Sequence, residues 1–419
     1  MSKAIIVGLG YVGLPLAREA VASGMDIVGF DISKSVVDRL NSASSHVDDI
    51  KDTDLREMLD RGFRATDNPK ELSCADFIVV CVPTPLGEDG GPDLGAVIAS
   101  MNTIRGVMEA GVTVILESTT YPGTTNEVVK PILDKSGLKI DEEYYLAFSP
   151  ERIDPGNAVY GAKNTPKVVG GFSQKSGERA ANFYGRFIDQ VKLVSGTREA
   201  EMTKLLENTY RHVNIALVNE MAKFCHDLGI NLWEAIDAAK TKPFGFQEFR
   251  PGPGVGGHCI PIDPNYLSFN VKKQLGYTFQ FVELAQNING SMPAYVVSRV
   301  QDSLNSVGKP LNGARVLLLG VTYKADIADQ RESPAVAVAN GLLAKGADVV
   351  YNDPYVDTWT SVSPTLHSAL DLQDELQKCD IAVLLQAHSK YDLAAICASG
   401  AKILDTRGVL VGGSAIELL

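Results

Sequence analysis

The chain is short of several things, and each shortage removes a class of function. It has no run approaching the ~18 consecutive apolar residues of a membrane-spanning helix, so no membrane span is expected. It has no block of Lys and Arg, and its formal net charge is -12. A nucleic-acid-binding surface needs a basic patch for the phosphates, so no nucleic-acid partner is expected. It has no CxxC pair: its six cysteines, at 74, 81, 225, 259, 379 and 397, lie far apart. That spacing argues against a disulfide framework and a zinc knuckle, and for reduced thiols. His258 beside Cys259 lacks further ligands at suitable spacing, so no metal is expected. The opening "MSKAIIVGLGYVG" carries no charged leader, apolar core and small-residue cleavage site, and a cytoplasmic location is expected.

What is present reads as several domains. At 419 residues, with 45% hydrophobic and 21% charged residues, the chain exceeds one ordinary core, and two or three domains are expected. Over the first 150 residues or so, the β-rich runs "AIIVGLG", "DIVGFD", "DFIVVCVP", "TVILEST" and "EYYLAFSP" alternate with amphipathic stretches. That rhythm predicts a parallel α/β unit with right-handed crossovers. Between about 197 and 300 the strand signals cease. Thr197, Glu199 and Glu201 open a helix, and Leu205, Tyr210, Val213, Leu217 and Met221 keep near-helical spacing until Gly229 stops it. About 31 residues at ~1.5 Å each make a rod of about 46 Å, long enough to link domains or pair subunits. Near 313 a second α/β block begins with "ARVLLLG" and repeats the order of strand, glycine turn, helix, strand and terminal Asp seen at 4 to 31. The expected fold class is therefore α/β: two Rossmann-like domains with parallel sheets joined by a central helical domain with a long helix. The expected divisions are 1–196, 197–300 and 301–419, with the last linker at about 300–313.

Gly8, Gly10 and Gly13 form GxGxxG directly after a strand and at a helix start. The first glycine permits the turn, the second lets backbone approach a pyrophosphate, the third lets helix and strand pack closely, and the helix N-terminus favours the anion. Asp31, ending the second strand, is placed to take ribose hydroxyls and repel a 2′-phosphate, so NAD rather than NADP is expected. The second block has only Gly320 at the equivalent turn, followed by Val321, Thr322, Tyr323 and Lys324. Without the later glycines it cannot cradle pyrophosphate in the same way. Lys324 and Arg331 either meet phosphate by charge or are solvated residues of a structural copy.

The segment "PGPGVGGHCIPIDP", Pro251 to Pro264, fixes one thiol in backbone that can be neither helix nor strand. Proline locks φ and glycine opens otherwise forbidden φ, so the loop is either built for backbone to press against a ligand or a rigid crossover burying an inert thiol. On the long helix Lys204, Asn208 and Arg211 share one face. That face is an ordinary solvated one unless it turns toward Cys259. There an ammonium would favour the thiolate, and lysine with amide would stabilise an oxyanion. Asp263 is a general base, a loop brace or part of an Asp-Pro turn.

Seven segments carry a resemblance. GLGYVG (8–13), VCVPTP (80–85), ESTTYPGTT (117–125), SPER (149–152), KLLENTYR (204–211), GGHCIPIDP (256–264) and GVTYKADIADQRESP (320–334) resemble, in order and over nearly the whole chain, the UDP-glucose/GDP-mannose dehydrogenase family. The resemblance implies oxidation of the C6 alcohol of a nucleotide sugar to a carboxylate, consuming two NAD+ at one site. It also implies an N-terminal NAD domain, a C-terminal UDP domain and a helical centre through which a homodimer or higher homo-oligomer forms. Carried over by position, Cys259 is the nucleophile, Lys204 and Asn208 stabilise oxyanions, and Asp263, Thr119 and Glu151 transfer protons or hold water. Gly8, Gly10, Tyr11, Val12, Gly13, Asp31, Pro83, Thr84, Thr119 and Arg331 fall on the cofactor side. Glu151, Arg152, Lys204, Asn208, Arg211, Arg250, Gly256 and Lys324 fall on the UDP-sugar side, with Lys324 at the UDP and Arg250 reaching the partner's sugar. Pro155 stands where UDP-glucose-type members usually carry a second acid, so the resemblance supplies no such acid for proton relay here. "SPERIDPGN" and "KPFGFQEFRPGPGVGGHCIPIDPNYL" look more like the branch acting on 2-acetamido sugars, which makes UDP-N-acetylglucosamine the expected substrate. UDP-N-acetylmannosamine and UDP-glucose are the alternatives. The rival readings are a two-electron hydroxyacid dehydrogenase, which needs no thiol, and a dinucleotide-binding sensor without catalysis.

Overall fold

The computed structural model describes residues 3–47, 49–87, 91–153, 157, 159–257, 260–411 and 415–419. The chain divides into two compact units, residues 1–207 with 265–276, and residues 208–264 with 277–419.

In the first unit, β1 (Lys3–Val7), β2 (Asp26–Phe30), β3 (Arg64–Thr66), β4 (Phe77–Val80), β5 (Thr113–Leu116), β6 (Tyr145–Phe148), β7 (Lys167–Gly171) and β8 (Val191–Val194) form one sheet in the order β3-β2-β1-β4-β5-β6-β7-β8. The runs of β4, β5 and β6 are buried throughout because helices cover both faces. Alternation along β1 divides the core. Ala4 and Ile6 pack with Leu14 and Leu16 of the helix Gly13–Ala22, whereas Ile5 and Val7 pack with Val97, Met101 and Ile104 of the helix Gly95–Val107. The strands of the first 150 residues, β1 to β6, pair parallel as expected, and the pairing changes beyond them. β6 and β7 pair antiparallel, with Ala147 opposite Gly171. A parallel return requires a crossover element, and among the described residues between β6 and β7 there is no helix to make one.

The helix Thr197–Asp227 runs 31 residues and passes from the first unit into the second. In the second unit the helix Gln280–Asn305 runs past residue 300. The strands β9 (Arg315–Leu319), β10 (Asp348–Asn352), β13 (Ile381–Leu384), β14 (Ile403–Asp405) and β15 (Ile416–Leu418) make a parallel sheet in the order β10-β9-β13-β14-β15. A small antiparallel pair, β11 (Thr358–Trp359) and β12 (Leu366–His367), lies apart from it. The division of β1 recurs in β9. Val316 and Leu318 pack with Val296 and Val300 of the helix Gln280–Asn305 and with Val338 of the helix Pro334–Ala344, while Leu317 and Leu319 face Leu376 and Ile396.

Candidate functional site

The glycine turn after β1 divides its labour as the spacing predicts. Gly8 has φ +89°, and a Cβ there would lie 2.8 Å from the Cys81 carbonyl oxygen. A Cβ on Gly13 would lie 1.9 Å from the Gly8 oxygen, so helix and strand touch through bare backbone. Around Gly10 nothing stands within 4 Å of an added Cβ. That open flank at a helix N-terminus suits a pyrophosphate. Asp31 is tied to the turn: its Oδ2 accepts the Leu9 N–H at 3.0 Å and its Oδ1 the Ser33 N–H at 2.9 Å. Tyr11 is exposed and Val12 half-buried beside this flank. These residues fit a dinucleotide.

Pro83 is exposed and Thr84 is buried, and the Thr84 hydroxyl donates to the Thr119 carbonyl at 2.8 Å. The Tyr266 hydroxyl, from the helix Asp263–Leu275, donates to the Thr84 carbonyl. The first turns of the helix Thr197–Asp227 hold the adjoining loop. The Lys204 Nζ donates to the Thr119 Oγ1 at 2.6 Å. Glu201 accepts the Gly123 N–H at 2.6 Å, and the Thr125 N–H and hydroxyl at 2.8 and 2.7 Å. Burial pushes the Glu201 carboxyl up to about 7 against those hydrogen bonds. Sequence reasoning used Glu201 only as a helix opener. Its place three residues before Lys204, on the same helix face, is the signal that could have found it. Arg152 is engaged by Glu207 through bonds of 3.1 and 2.6 Å and by the Pro166 carbonyl at 2.5 Å. Glu151 is buried, and its Oε1 accepts the Ile153 N–H at 2.5 Å.

In the second unit Asn208, one turn beyond Lys204 on the same helix, donates through Nδ2 to the Asp263 Oδ2 at 2.6 Å, and both are buried. Arg211 is exposed. Arg250 donates to Glu248 at 2.7 Å and to Asp237, and lies 5.7 Å over the Trp233 ring. Cys259 and His258 lie outside the described residues. The glycines before them press on the loop that carries Lys324 and Arg331. A Cβ on Gly256 would lie 2.7 Å from the Glu332 oxygen, and the Gly257 N–H donates to the Arg331 carbonyl at 3.2 Å. Arg331 forks onto Asp329 at 2.9 and 3.0 Å. Further back, the Gly252 N–H donates to Asn219, which donates to Asn289 at 2.9 Å, which in turn faces the His212 Nδ1 at 3.3 Å. Burial holds His212 down to about 4, so its ring is neutral. A cavity of about 730 Å³ is lined by Gly254, Val255 and Pro261 of the loop together with His212, Arg331 and Ser333. Arg407, which sequence reasoning passed over, follows β14 at the carboxyl end of the parallel strands, where ligands bind in open α/β sheets. Burial lowers its guanidinium to about 10, and its Nε donates to the Leu385 carbonyl at 2.6 Å.

Known proteins give this arrangement a family. Three family models match the chain: the UDP-glucose/GDP-mannose dehydrogenase family NAD binding domain over residues 2–188, central domain over 198–291 and UDP binding domain over 317–412. A UDP-N-acetyl-D-mannosamine dehydrogenase of Pyrococcus horikoshii is 36% identical, covering 84% of this chain and 83% of its own. A UDP-N-acetyl-D-glucosamine 6-dehydrogenase of Pseudomonas aeruginosa is 36% identical, covering 87% and 85%. Among solved structures, a UDP-D-ManNAc dehydrogenase from Pyrococcus horikoshii superposes with a TM-score of 0.89 at 32% identity, covering 99% of this chain and 98% of that one. The chain therefore belongs to the UDP-glucose/GDP-mannose dehydrogenase family and is an NAD-dependent oxidoreductase.

Proposed function

We propose that the protein oxidises the C6 hydroxyl of UDP-N-acetylglucosamine to the carboxylate in two successive hydride transfers. The observation that carries this reading is the pairing on one helix: Lys204 bonded to Thr119, and one turn later Asn208 bonded to Asp263. A cation and an amide on successive turns of one face suit an oxyanion that forms and collapses more than once.

Bound NAD+ supplies the hydride acceptor for both oxidations. In the first, the C6 hydroxyl proton goes to a neighbouring base and an aldehyde remains. The Cys259 thiolate adds to the aldehyde carbon, and Lys204 and Asn208 face the oxygen of the resulting thiohemiacetal. Loss of the second hydride leaves a thioester. A water then gives its proton to the Glu151 carboxylate while its oxygen bonds to the thioester carbon. The C–S bond breaks, its electron pair returns to sulfur, and the uronic acid is released. Asp263 orients the Asn208 amide. Lys324 and Arg407 are the cations assigned to the UDP portion, and Asp31 takes the cofactor ribose. Binding alone calls for no thiol, and the two-electron hydroxyacid reading gains no support from the three matched domains.

A second substrate, UDP-N-acetylmannosamine, is favoured by the Pyrococcus horikoshii relative and structure. Incubation of the purified protein with NAD+ and UDP-N-acetylglucosamine, UDP-N-acetylmannosamine or UDP-glucose, with the acid product identified by mass spectrometry, separates these. Turnover of UDP-glucose alone contradicts the 2-acetamido assignment. The working unit is a homodimer. Leu206, Tyr210, Leu217, Phe224 and Leu228 are exposed along one face of the helix Thr197–Asp227 and its end, a stripe suited to a second copy of the same helix. Sedimentation of Leu217→Glu/Phe224→Glu as monomer, against a dimeric parent, is the expected result.

A further inference from the structure

Behind Glu151 lies a chain of buried charges that the reaction as read above does not use. Lys167, the first residue of β7, is 6% exposed, and its Nζ lies 2.8 Å from the Glu117 Oε2 and 3.8 Å from the Glu151 Oε2. Glu117, just after β5, is 1% exposed, and its other oxygen accepts the Tyr184 hydroxyl. Tyr184 ends the helix Gln174–Tyr184, is fully buried, and places its ring 5.2 Å from the Lys167 Nζ. Among the described residues the Glu151 Oε2 has no hydrogen-bond partner, and the ammonium faces it at 3.8 Å. Three strands and a helix thus converge on one lysine. Such a cluster is costly to build: each charge loses its hydration, and breaking a buried pair strands the survivor. A merely structural filler would be met as well by apolar residues of the same volume.

Burial alone would drive Lys167 down, but Glu117 and then Glu151 outweigh it and hold the ammonium above its ordinary value. Burial raises the Tyr184 hydroxyl, which stays a donor, and pushes the nearby Cys81 thiol well up, which leaves it inert.

We propose that Lys167 is a positioning residue for Glu151: clamped by Glu117 and Tyr184, its ammonium fixes the orientation of the Glu151 carboxylate and supplies the counter-charge a buried carboxylate requires. The Ile153 N–H holds one carboxylate oxygen and the ammonium faces the other. Each oxygen keeps a further lone pair for the attacking water. This rests on the role given to Glu151 in thioester hydrolysis.

A double-mutant cycle tests it, reading kcat and KM by NADH formation in the wild type, Glu151→Gln, Lys167→Met and the combination, with a melting curve for each. Lys167→Met is expected to lower kcat about 10- to 100-fold, with KM for NAD+ and UDP-sugar within about 2-fold, and Lys167→Arg to recover most of the loss. On the Glu151→Gln background the same substitution is expected to cost less than about 2-fold, because a residue acting through Glu151 has nothing left to act on. Should Lys167→Met unfold by stranding Glu117, the neutral pair Glu117→Gln/Lys167→Met replaces it in the cycle with the same expectation. An equal loss on both backgrounds, or an unchanged kcat, overturns the proposal while leaving the wild-type activity as read. Wild-type kcat in Glu151→Gln overturns it together with the role of Glu151.

Discussion

After β1 the chain turns through Gly8, Leu9 and Gly10 and enters a helix at Gly13; after β9 it turns through Gly320, Val321 and Thr322 with no later glycine. Both turns open on a positive-φ glycine, +89° at Gly8 and +76° at Gly320. In both, the N–H of the next residue donates to the acid that follows the second strand: Leu9 to Asp31 at 3.0 Å, Val321 to Asp353 at 2.7 Å. The frame is the same. The use of the acid differs. Asp31 is only half-buried beside the open flank of Gly10. Asp353 is 2% exposed and faces the His388 Nε2 at 3.0 Å, while the His388 Nδ1 accepts the Asp326 N–H at 3.0 Å. One Rossmann turn leaves its carboxylate half-buried beside an open flank, and the other buries it against the histidine that braces the loop carrying Lys324. A shared fold therefore fixes where a site can form, while the side chains around the turn decide what the site holds.

The comparison can be broken most forcefully at Gly13. With a Cβ 1.9 Å from the Gly8 oxygen, Gly13→Ala is expected to cost about 3 kcal/mol or more in chemical denaturation. An unaltered midpoint would mean that strand and helix are not held this close.

The buried acids of the two units give the next effect. Among the described residues Glu201 accepts its hydrogen bonds from neutral N–H and O–H donors, whereas Asp353 faces an imidazole. Since the folded Glu201 carboxyl is pushed up from 4.5 to about 7, the native state holds a proton that the unfolded chain releases between those values. Stability from this group is full below the unfolded value and is lost as pH rises to about 7. The stability of wild type relative to Glu201→Gln is expected to fall by about 3 kcal/mol from pH 4.5 to 7, seen in denaturation curves across that range. A flat difference contradicts the burial argument.

The two acids that follow the second strands separate more finely. Asp31→Asn is expected to weaken NAD+ binding roughly 10- to 100-fold by calorimetry. Asp353→Asn is expected to leave the NAD+ Kd within about 2-fold and to raise KM for the UDP-sugar. Equal effects of the two on NAD+ would erase the distinction. The mildest probe is Gly10→Ala. With nothing within 4 Å of its Cβ, stability should change by less than about 1 kcal/mol while NAD+ binding weakens.

Much of this was legible in sequence because it is periodic or local. The 31-residue helix announced itself through apolar spacing and the Gly229 stop, and the glycine fingerprint is a matter of fixed offsets. Lys204 and Asn208 were visible as one helix face. The antiparallel pairing of β6 with β7 was not, because strand direction depends on the path of the connection rather than on the residues in the strand. Glu117, Lys167 and Tyr184 escaped for a related reason. They sit on three separate elements, and no spacing joins a strand end to a helix end 67 residues away. Arg152 and Arg250 are each engaged by an acid of their own chain, Glu207 and Glu248, which the sequence did not indicate. A positive charge in sequence does not reveal its partner.

The most direct test of the central claim is the ratio of NADH formed to UDP-sugar consumed when the wild-type protein, limiting UDP-N-acetylglucosamine and excess NAD+ are run to completion. Two NADH per sugar, with the uronic acid as sole product, is the predicted result; one NADH per sugar with a free aldehyde would contradict the four-electron account.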